Sequence, residues 1–386
     1  MHIFNARLTG YKDLQHLSIG PDHCLEIIQA MSKAPSDLVA GTDGINGIDV
    51  QGDWVSPGGI DVQINGGLGL AFPEIERDHP DHGDRLDKIA AYLWEQGVDG
   101  FLPTIVTSSV HQVHQSLATF NELIPKINAR PHRANILGIH LEGPFLNPTK
   151  RGAHPEEHLL PLTIAEVKRL LADYASIVSV ITLAPELDPS GTVIPYLRSL
   201  GITVSLGHSL ASATEATHAF KQGASMVTHA FNAMPSLHHR KPGLLGAALV
   251  HPTVTAGFIA DGEHICITML DLLLRANDNL FLVSDALAPL GLPDGLYPWD
   301  TRQIEVLNGT ARLPDGTLSG TTLPLLDGVK NLVEWGLCDV ARAIALATVA
   351  PRHAIGIDAW AIGQPFYPLR WTHNPETRSV SWQRMI

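Results

Sequence analysis

Residues 203–231, "TVSLGHSLASATEATHAFKQGASMVTHAF", spell out one strand, one helix and a second strand. "TVSLGHS" and "MVTHAF" are short β-leaning runs, and "ASATEATHAFKQG" between them has helical spacing and a closing Gly at the C-cap position. Similar runs occur at "IDVQI" (60–64), "GFLPTIVT" (100–107), "ILGIHLE" (136–142), "VSVITLAPE" (178–186), "TAGFIAD" (255–261) and "LFLVSDA" (280–286). The helical patterns "TIAEVKRLLADYA" (163–175) and "ITMLDLLLRAN" (267–277) lie between some of them. Eight strands alternating with helices predict a parallel sheet closed into a (β/α)8 TIM-type barrel, with chemistry at the carboxyl ends of the strands. An open doubly wound sheet would need a glycine-rich phosphate loop opening a helix after its first strand, and "GGLGLAF" (66–72) opens none.

Outside this alternation the pattern changes. Residues 1–55 are short, β-leaning and punctuated by glycine, with turn signals throughout "GTDGINGIDVQGDWVSPG" (41–58). The strand-like "FYPLRW" and "SVSWQRM" follow residue 359. The expected fold class is therefore α/β: a barrel over 56–358 and a small β-sandwich-like domain built from segments 1–55 and 359–386. The excursion "LGLPDGLYPWD…NGTARLPDG" (290–316) reads as a β insertion.

Composition narrows the function. The 386 residues are 45% hydrophobic, ample for a large core, and carry a net charge of −13. That balance argues against general affinity for nucleic acid or anionic membrane. Cys24, Cys266 and Cys338 are distant and odd in number, which supports neither a disulfide framework nor a cysteine zinc site. No apolar run has signal-peptide or membrane-span length, so a soluble cytoplasmic protein is expected.

Three strand ends carry metal-ligand chemistry. Glu142 closes an apolar strand before Gly-Pro, and His208 and His229 stand at the ends of two later strands. One such histidine among 20 would mean little, but two on consecutive strands with a carboxylate two strands earlier form a set suited to catalytic zinc. Water bound to such an ion has its pKa lowered towards ~7, which supplies a hydrolytic nucleophile at neutral pH. Asp285, closing the eighth strand, is placed to act as general base and then acid. On the first strand, Ile60, Val62 and Ile64 alternate with Asp61, Gln63 and Asn65, so the three polar residues are expected to share a face.

In order along the chain, "PGGIDVQINGG", "HLEGPFL", "SLGHS", "THAFNAMP", "IADGEH", "LVSDA" and "LSGTTL" resemble the N-acetylglucosamine-6-phosphate deacetylases of the amidohydrolase superfamily, from about residue 55 to about 357. The resemblance implies a metal-dependent barrel, commonly dimeric, that removes acetate from an amino-sugar phosphate. Carried over residue by residue, it implies Glu142, His208 and His229 as metal ligands and Asp285 as the acid/base. Many superfamily members bind a second metal through two first-strand histidines, at the positions of Gln63 and Asn65 here. Amides are poor replacements for imidazole on a transition metal, and no lysine is present in "ITLAPE" (181–186) to bridge two ions. One divalent metal per subunit is expected, Zn2+ with Fe2+ as the alternative.

The same resemblance places phosphate on Arg240, reached across a homodimer interface, and on His264. It implies sugar-phosphate contacts at Asn232 and Ala233, an approach lined by Asp261, Gly262 and Glu263, and packing near the acetyl group by Leu318, Ser319 and Gly320. Ala153 and His154, in "KRGAHPEEH" (150–158), would touch the substrate, the imidazole polarising the acetyl carbonyl. A guanidinium fork suits phosphate oxygens, and "HHRKPG" (238–243) is the densest local cluster of cationic or protonatable groups. The alternatives are an N-acetylgalactosamine-6-phosphate deacetylase, a cyclic-amide hydrolase or deaminase of the superfamily, and a non-catalytic sugar-phosphate-binding homologue. At the carboxyl end, "AIGQPFYPLRWTHNPE" (361–376) departs from the family's "G-x-I-x-x-G-x-x-A-D" type stretch.

Overall fold

The computed structural model describes residues 1–31 and 47–385. Eight parallel strands follow one another around a barrel: Gly59–Ile64, Val98–Val106, Ile139–Glu142, Val178–Leu183, Thr203–Leu206, Met226–Val227, Thr255–Phe258 and Leu280–Leu282. Helices on the outside cover them, among them His82–Glu95, Val110–Asn128, Ile164–Leu171, Ala213–Lys221 and Ile267–Ala276. Helix starts are fixed locally. Ser109 and Thr163 cap their helices, and Ser212 with Glu215 forms a reciprocal capping box.

The interior is layered. Ile60, Val62, Leu102, Val180, Met226, Ile259, Phe281 and Val283 form an apolar floor. Thr104, His140, Thr182, Ser205 and Thr228 are also buried, and they are linked by hydrogen bonds. His140 Nε2 is 2.7 Å from Thr182 Oγ1, which lies 2.7 Å from Thr228 Oγ1, and Ser205 Oγ is 2.6 Å from Thr228 Oγ1. Burial holds His140 down at about 4, so it is a neutral member of this network near neutral pH.

The expected alternation on the first strand fails at one place. Its register against the second strand slips between Asp61 and Ile64, the signature of a β-bulge. Ile60 and Val62 therefore join the apolar floor, while Gln63 reaches Glu142 and Asp285 at the mouth. Asp61, separated from Gln63 by the bulge, instead accepts the backbone N–H of Ser284 at 3.2 Å. Closure from the eighth strand to the first rests on few bonds: Asp285 N–H to Gln63 O at 2.9 Å, Asn65 N–H to Ala286 O at 2.7 Å, and the Asp61 side chain.

Two smaller sheets precede and follow the barrel. One has the order Leu25–Ala30, Gln15–Ile19, His2–Ala6, Gly47–Asp49, and the other runs Val380–Arg384, Leu369–His373, Trp54–Ser56. Ile3, Leu17, Ile19, Leu25, Val55 and Phe366 share a core, so residues from both chain ends pack together. Of the turn-rich stretch 41–58, residues 41–46 lie outside the described residues. Asp99 ties the barrel's lower end to the last strand. It accepts from Arg352 at 2.9 Å, from Arg384 at 2.9 Å and from the Gly58 N–H at 2.7 Å. The β insertion is present as a four-stranded antiparallel sheet, Gly295–Trp299, Arg302–Leu307, Thr310–Arg312 and Leu318–Thr321.

Burial pushes the Asp61 carboxyl up to about 7, against about 3.9 expected in an unfolded chain. The folded state thus holds a proton that unfolding releases, so this group's contribution to stability is full below about pH 4 and is lost as pH rises through about 7. Asp61→Asn keeps the acceptor for Ser284 and removes the titration. The variant should gain stability relative to the unaltered chain between pH 5 and pH 8, read from urea midpoints at both values; an unchanged difference would contradict this.

Candidate metal centre and active site

The rim gathers its functional groups because the strands end in sharp bends. His208, His229, Ala233 and Asp285 all have positive φ, at 48°, 29°, 51° and 49°. Left-handed backbone is uncommon outside glycine, and it aims these residues from strand ends into the mouth. Gly320 supports the last bend. A Cβ there would come within 2.6 Å of the Asp285 carbonyl, and its φ is +150°.

Glu142, His208 and His229 converge, with one donor atom from each lying within 4.8 Å of the others. Glu142 Oε1 is 3.3 Å from His208 Nε2 and 3.1 Å from His229 Nε2, and the two Nε2 atoms are 3.0 Å apart. The tautomer of His208 is set from behind, since its Nδ1 donates to the Lys150 carbonyl at 2.8 Å. Its Nε2 is then a bare lone pair facing another imidazole nitrogen and a carboxylate. Such a group of acceptors repels itself unless a cation sits among them, and bonds of about 2.0 Å to a tetrahedral ion place ligand atoms roughly 3.3 Å apart. The residues fit a divalent metal. Although burial opposes its charge, Glu142 is held well below the ordinary carboxylate range by the neighbouring His208 and His229 imidazoles.

Asp285 lies beside this group. Its Oδ1 accepts from Asn65 Nδ2 at 2.8 Å and from Gln63 Nε2 at 3.2 Å, and the same Gln63 amide donates to Glu142 Oε1 at 3.0 Å. Burial and then the Glu142 charge push the Asp285 carboxyl up to about 7, while His229 and His264 pull the other way; a cation at the triad would act with them. His154 faces the triad from the third loop, its Nε2 3.9 Å from Glu142 Oε2. The Thr107 N–H donates to His154 Nδ1 at 3.3 Å, which leaves the ring proton on Nε2. Burial, then His208, holds the ring down at about 3, so it is a neutral donor.

Asn65, Glu142, His154, His208, His229 and Asp285 line one cavity of about 820 Å³, which also takes in Ala153, Asn232, Ala233, His264, Leu318 and Ser319. The other expected contacts stand apart from it. Arg240 is exposed on the loop after His229, its Nη1 2.9 Å from His239 Nε2. Asp261 accepts from His264 at 2.6 Å, Glu263 pairs with Arg312, Gly262 packs towards Trp335, and Gly320 backs Asp285. Residues not singled out from sequence also enter the wall: Thr107 and Arg151 from the second and third loops, and Trp299 and Arg302 from the tip of the insertion. Arg302 donates to the Ala153 carbonyl at 2.8 Å, joining that tip to the third loop.

A closed parallel barrel with two imidazoles, a carboxylate ligand and a free aspartate at its carboxyl-terminal rim is the arrangement of a metal-dependent hydrolase. The Amidohydrolase family model matches residues 54–360, and the chain belongs to that family. It is 39% identical over 320 residues to the N-acetylglucosamine-6-phosphate deacetylase of Bos taurus, covering 80% of this chain and 76% of that one. It is 34% identical over 307 residues to the N-acetylgalactosamine-6-phosphate deacetylase of Escherichia coli O157:H7, covering 79% of each. The crystal structure of N-acetylglucosamine-6-phosphate deacetylase from Pasteurella multocida superposes with a TM-score of 0.83 at 28% identity, over 99% of both chains.

Titrating zinc into chelator-treated protein should reveal one tight equivalent by calorimetry, and elemental analysis should agree. His208→Ala and His229→Ala should each lose it; a full equivalent retained by both variants would rule out the triad as the site.

Proposed function

We propose that this hydrolase removes the acetyl group of N-acetyl-D-glucosamine 6-phosphate, giving D-glucosamine 6-phosphate and acetate. The observation that carries the reading is the placement of Asp285 beside Glu142, His208 and His229 in one cavity, in a chain similar over most of its length to such deacetylases. Glu142, His208 and His229 would hold the ion, proposed to be zinc with iron(II) as the alternative. When bound, it acidifies water and polarises the acetyl carbonyl. Asp285 takes the proton from water as the nucleophile attacks, and returns it to the sugar nitrogen as the C–N bond breaks. The His154 Nε2–H donates to the oxygen on which negative charge develops. In the same cavity, His264 faces the phosphate, with Asn232 and Ala233 on the sugar phosphate; Ala153, Leu318 and Ser319 pack the remaining wall. Asp261 holds the ring of His264, while Gly262, Glu263 and Gly320 shape the approach.

Arg240 supports a dimeric reading because it is exposed and outside its own cavity. We propose that it enters the partner's cavity and completes the phosphate site of a homodimer. A cytoplasmic location is proposed on the three unpaired cysteines; among the described residues, no helix is long and apolar enough to cross a membrane. The domain division we propose is 1–55 with 359–386, around a barrel of 56–358.

Asp285→Asn should lower acetate release by about 10²–10⁴-fold with metal content unchanged; near-normal turnover would remove Asp285 from the mechanism. Competing the two N-acetylated hexosamine 6-phosphates in one assay decides between the activities of the two kinds of relative. Arg240→Ala should raise KM for the phosphorylated sugar at least about tenfold with kcat retained, the loss expected of a charge-assisted contact. Mixing it with Asp285→Asn should restore part of the activity if the arginine crosses between subunits.

A further inference from the structure

Five buried side-chain polar atoms lack a partner among the described residues, and three of them belong to the cavity: Asn65 Oδ1, His229 Nδ1 and Ser319 Oγ. Asn65 is the most confined of these residues, with 2% of its surface exposed. Its orientation is fixed by chemistry. Asp285 Oδ1 can only accept while ionised, so the Asn65 end facing it at 2.8 Å is the NH2, and the carbonyl end is the one left unpartnered. A buried carbonyl oxygen without a donor is costly, and in a residue that lines the cavity it marks a place where a ligand could bring one.

We propose that Asn65 Oδ1 accepts the N–H of the substrate's acetamide and so serves as a substrate-positioning and amide-selecting residue. The proposal rests on the deacetylase reading and on Asp285 as the acid. Nitrogen and oxygen of one side-chain amide are close neighbours, so a leaving nitrogen within reach of the Asp285 carboxyl is also within reach of the Asn65 carbonyl. As water attacks, a C–O bond forms and the amide nitrogen becomes pyramidal, gaining a lone pair. Holding its N–H on Asn65 turns that lone pair towards Asp285. The proton taken from water then passes from Asp285 to nitrogen, the C–N electron pair goes to nitrogen, and the carbonyl of acetate re-forms. An ester oxygen in the same place carries no proton and would set two acceptors against each other, so the contact also selects amides over esters.

Gln63 provides the internal control. Its NH2 is spent on Glu142 and Asp285, and it does not line the cavity. The test compares N-acetylglucosamine 6-phosphate with 2-O-acetylglucose 6-phosphate, in which oxygen replaces the N–H, across the unaltered enzyme, Asn65→Ala, Asn65→Leu and Gln63→Ala. Metal content and unfolding midpoint of each variant are measured in parallel, so loss of the site is separated from loss of the contact. Both Asn65 variants should lose kcat/KM on the amide by about 10–100-fold more than on the ester, the loss expected when a dry hydrogen bond is removed. Gln63→Ala should lower both substrates equally. Equal losses on amide and ester in both Asn65 variants would overturn the proposal. If the unaltered enzyme leaves the ester untouched, ester turnover gained by Asn65→Leu supports the contact and its continued absence overturns it. Failure of the unaltered, metal-replete enzyme to release acetate from the amide would instead overturn the functional reading itself.

Discussion

The barrel is held shut where its first and eighth strands meet, and that seam is also the chemical centre. Two backbone hydrogen bonds, Asp285 to Gln63 and Asn65 to Ala286, carry the closure, helped by the Asp61 carboxylate on Ser284. Directly above them the side chains of Gln63 and Asn65 donate to the carboxylate of Asp285. Fold and site therefore cannot vary independently at this edge. A slip of one residue in the first strand would move both amides off the Asp285 carboxylate and break the ring of strands at the same moment.

The layers below explain why a site of buried charge is tolerated. Beside the apolar floor the interior holds a second group, the hydroxyls of Thr182, Ser205 and Thr228 with the neutral His140. These groups satisfy one another, so this layer brings polarity into the interior without adding an unpaired donor of its own. His140 lies two residues before Glu142 on the same strand, and its Nδ1 is 3.0 Å from the Val62 carbonyl, just before Gln63. The network thus fixes the first and third strands relative to each other at the height where Gln63 meets Glu142.

Much of this was legible in the sequence because strand ends advertise themselves. The eight short runs are strands, and Glu142, His208, His229 and Asp285 come together because each follows an apolar segment at the rim. What stayed hidden depended on long-range geometry. Perfect alternation through "IDVQIN" concealed the bulge, which is set by pairing with the second strand and by closure against the eighth. Arg302 and Arg151 are about 150 positions apart and share a wall only because the insertion folds back over the third loop. Nothing local marked Trp54–Ser56 as the partner of Leu369–His373, because an antiparallel pairing across the length of the chain leaves no pattern in either segment.

Charge bookkeeping around the cavity favours a contribution from outside the chain. The two guanidinium groups that line it are already engaged: Arg302 with Asp300 and the Ala153 carbonyl, Arg151 with Glu156 and the His154 carbonyl. His264 is committed through one nitrogen to Asp261, leaving the other for a ligand. In a protein of net charge −13, one imidazole nitrogen and backbone donors are a meagre counterpart for a phosphate dianion. Arg240, whose nearest polar partner is another protonatable side chain, faces solvent on the loop that follows a metal-ligand candidate. On the proposed reading, a second copy of this exposed guanidinium is the missing charge, and the site becomes electrostatically complete only when two chains meet.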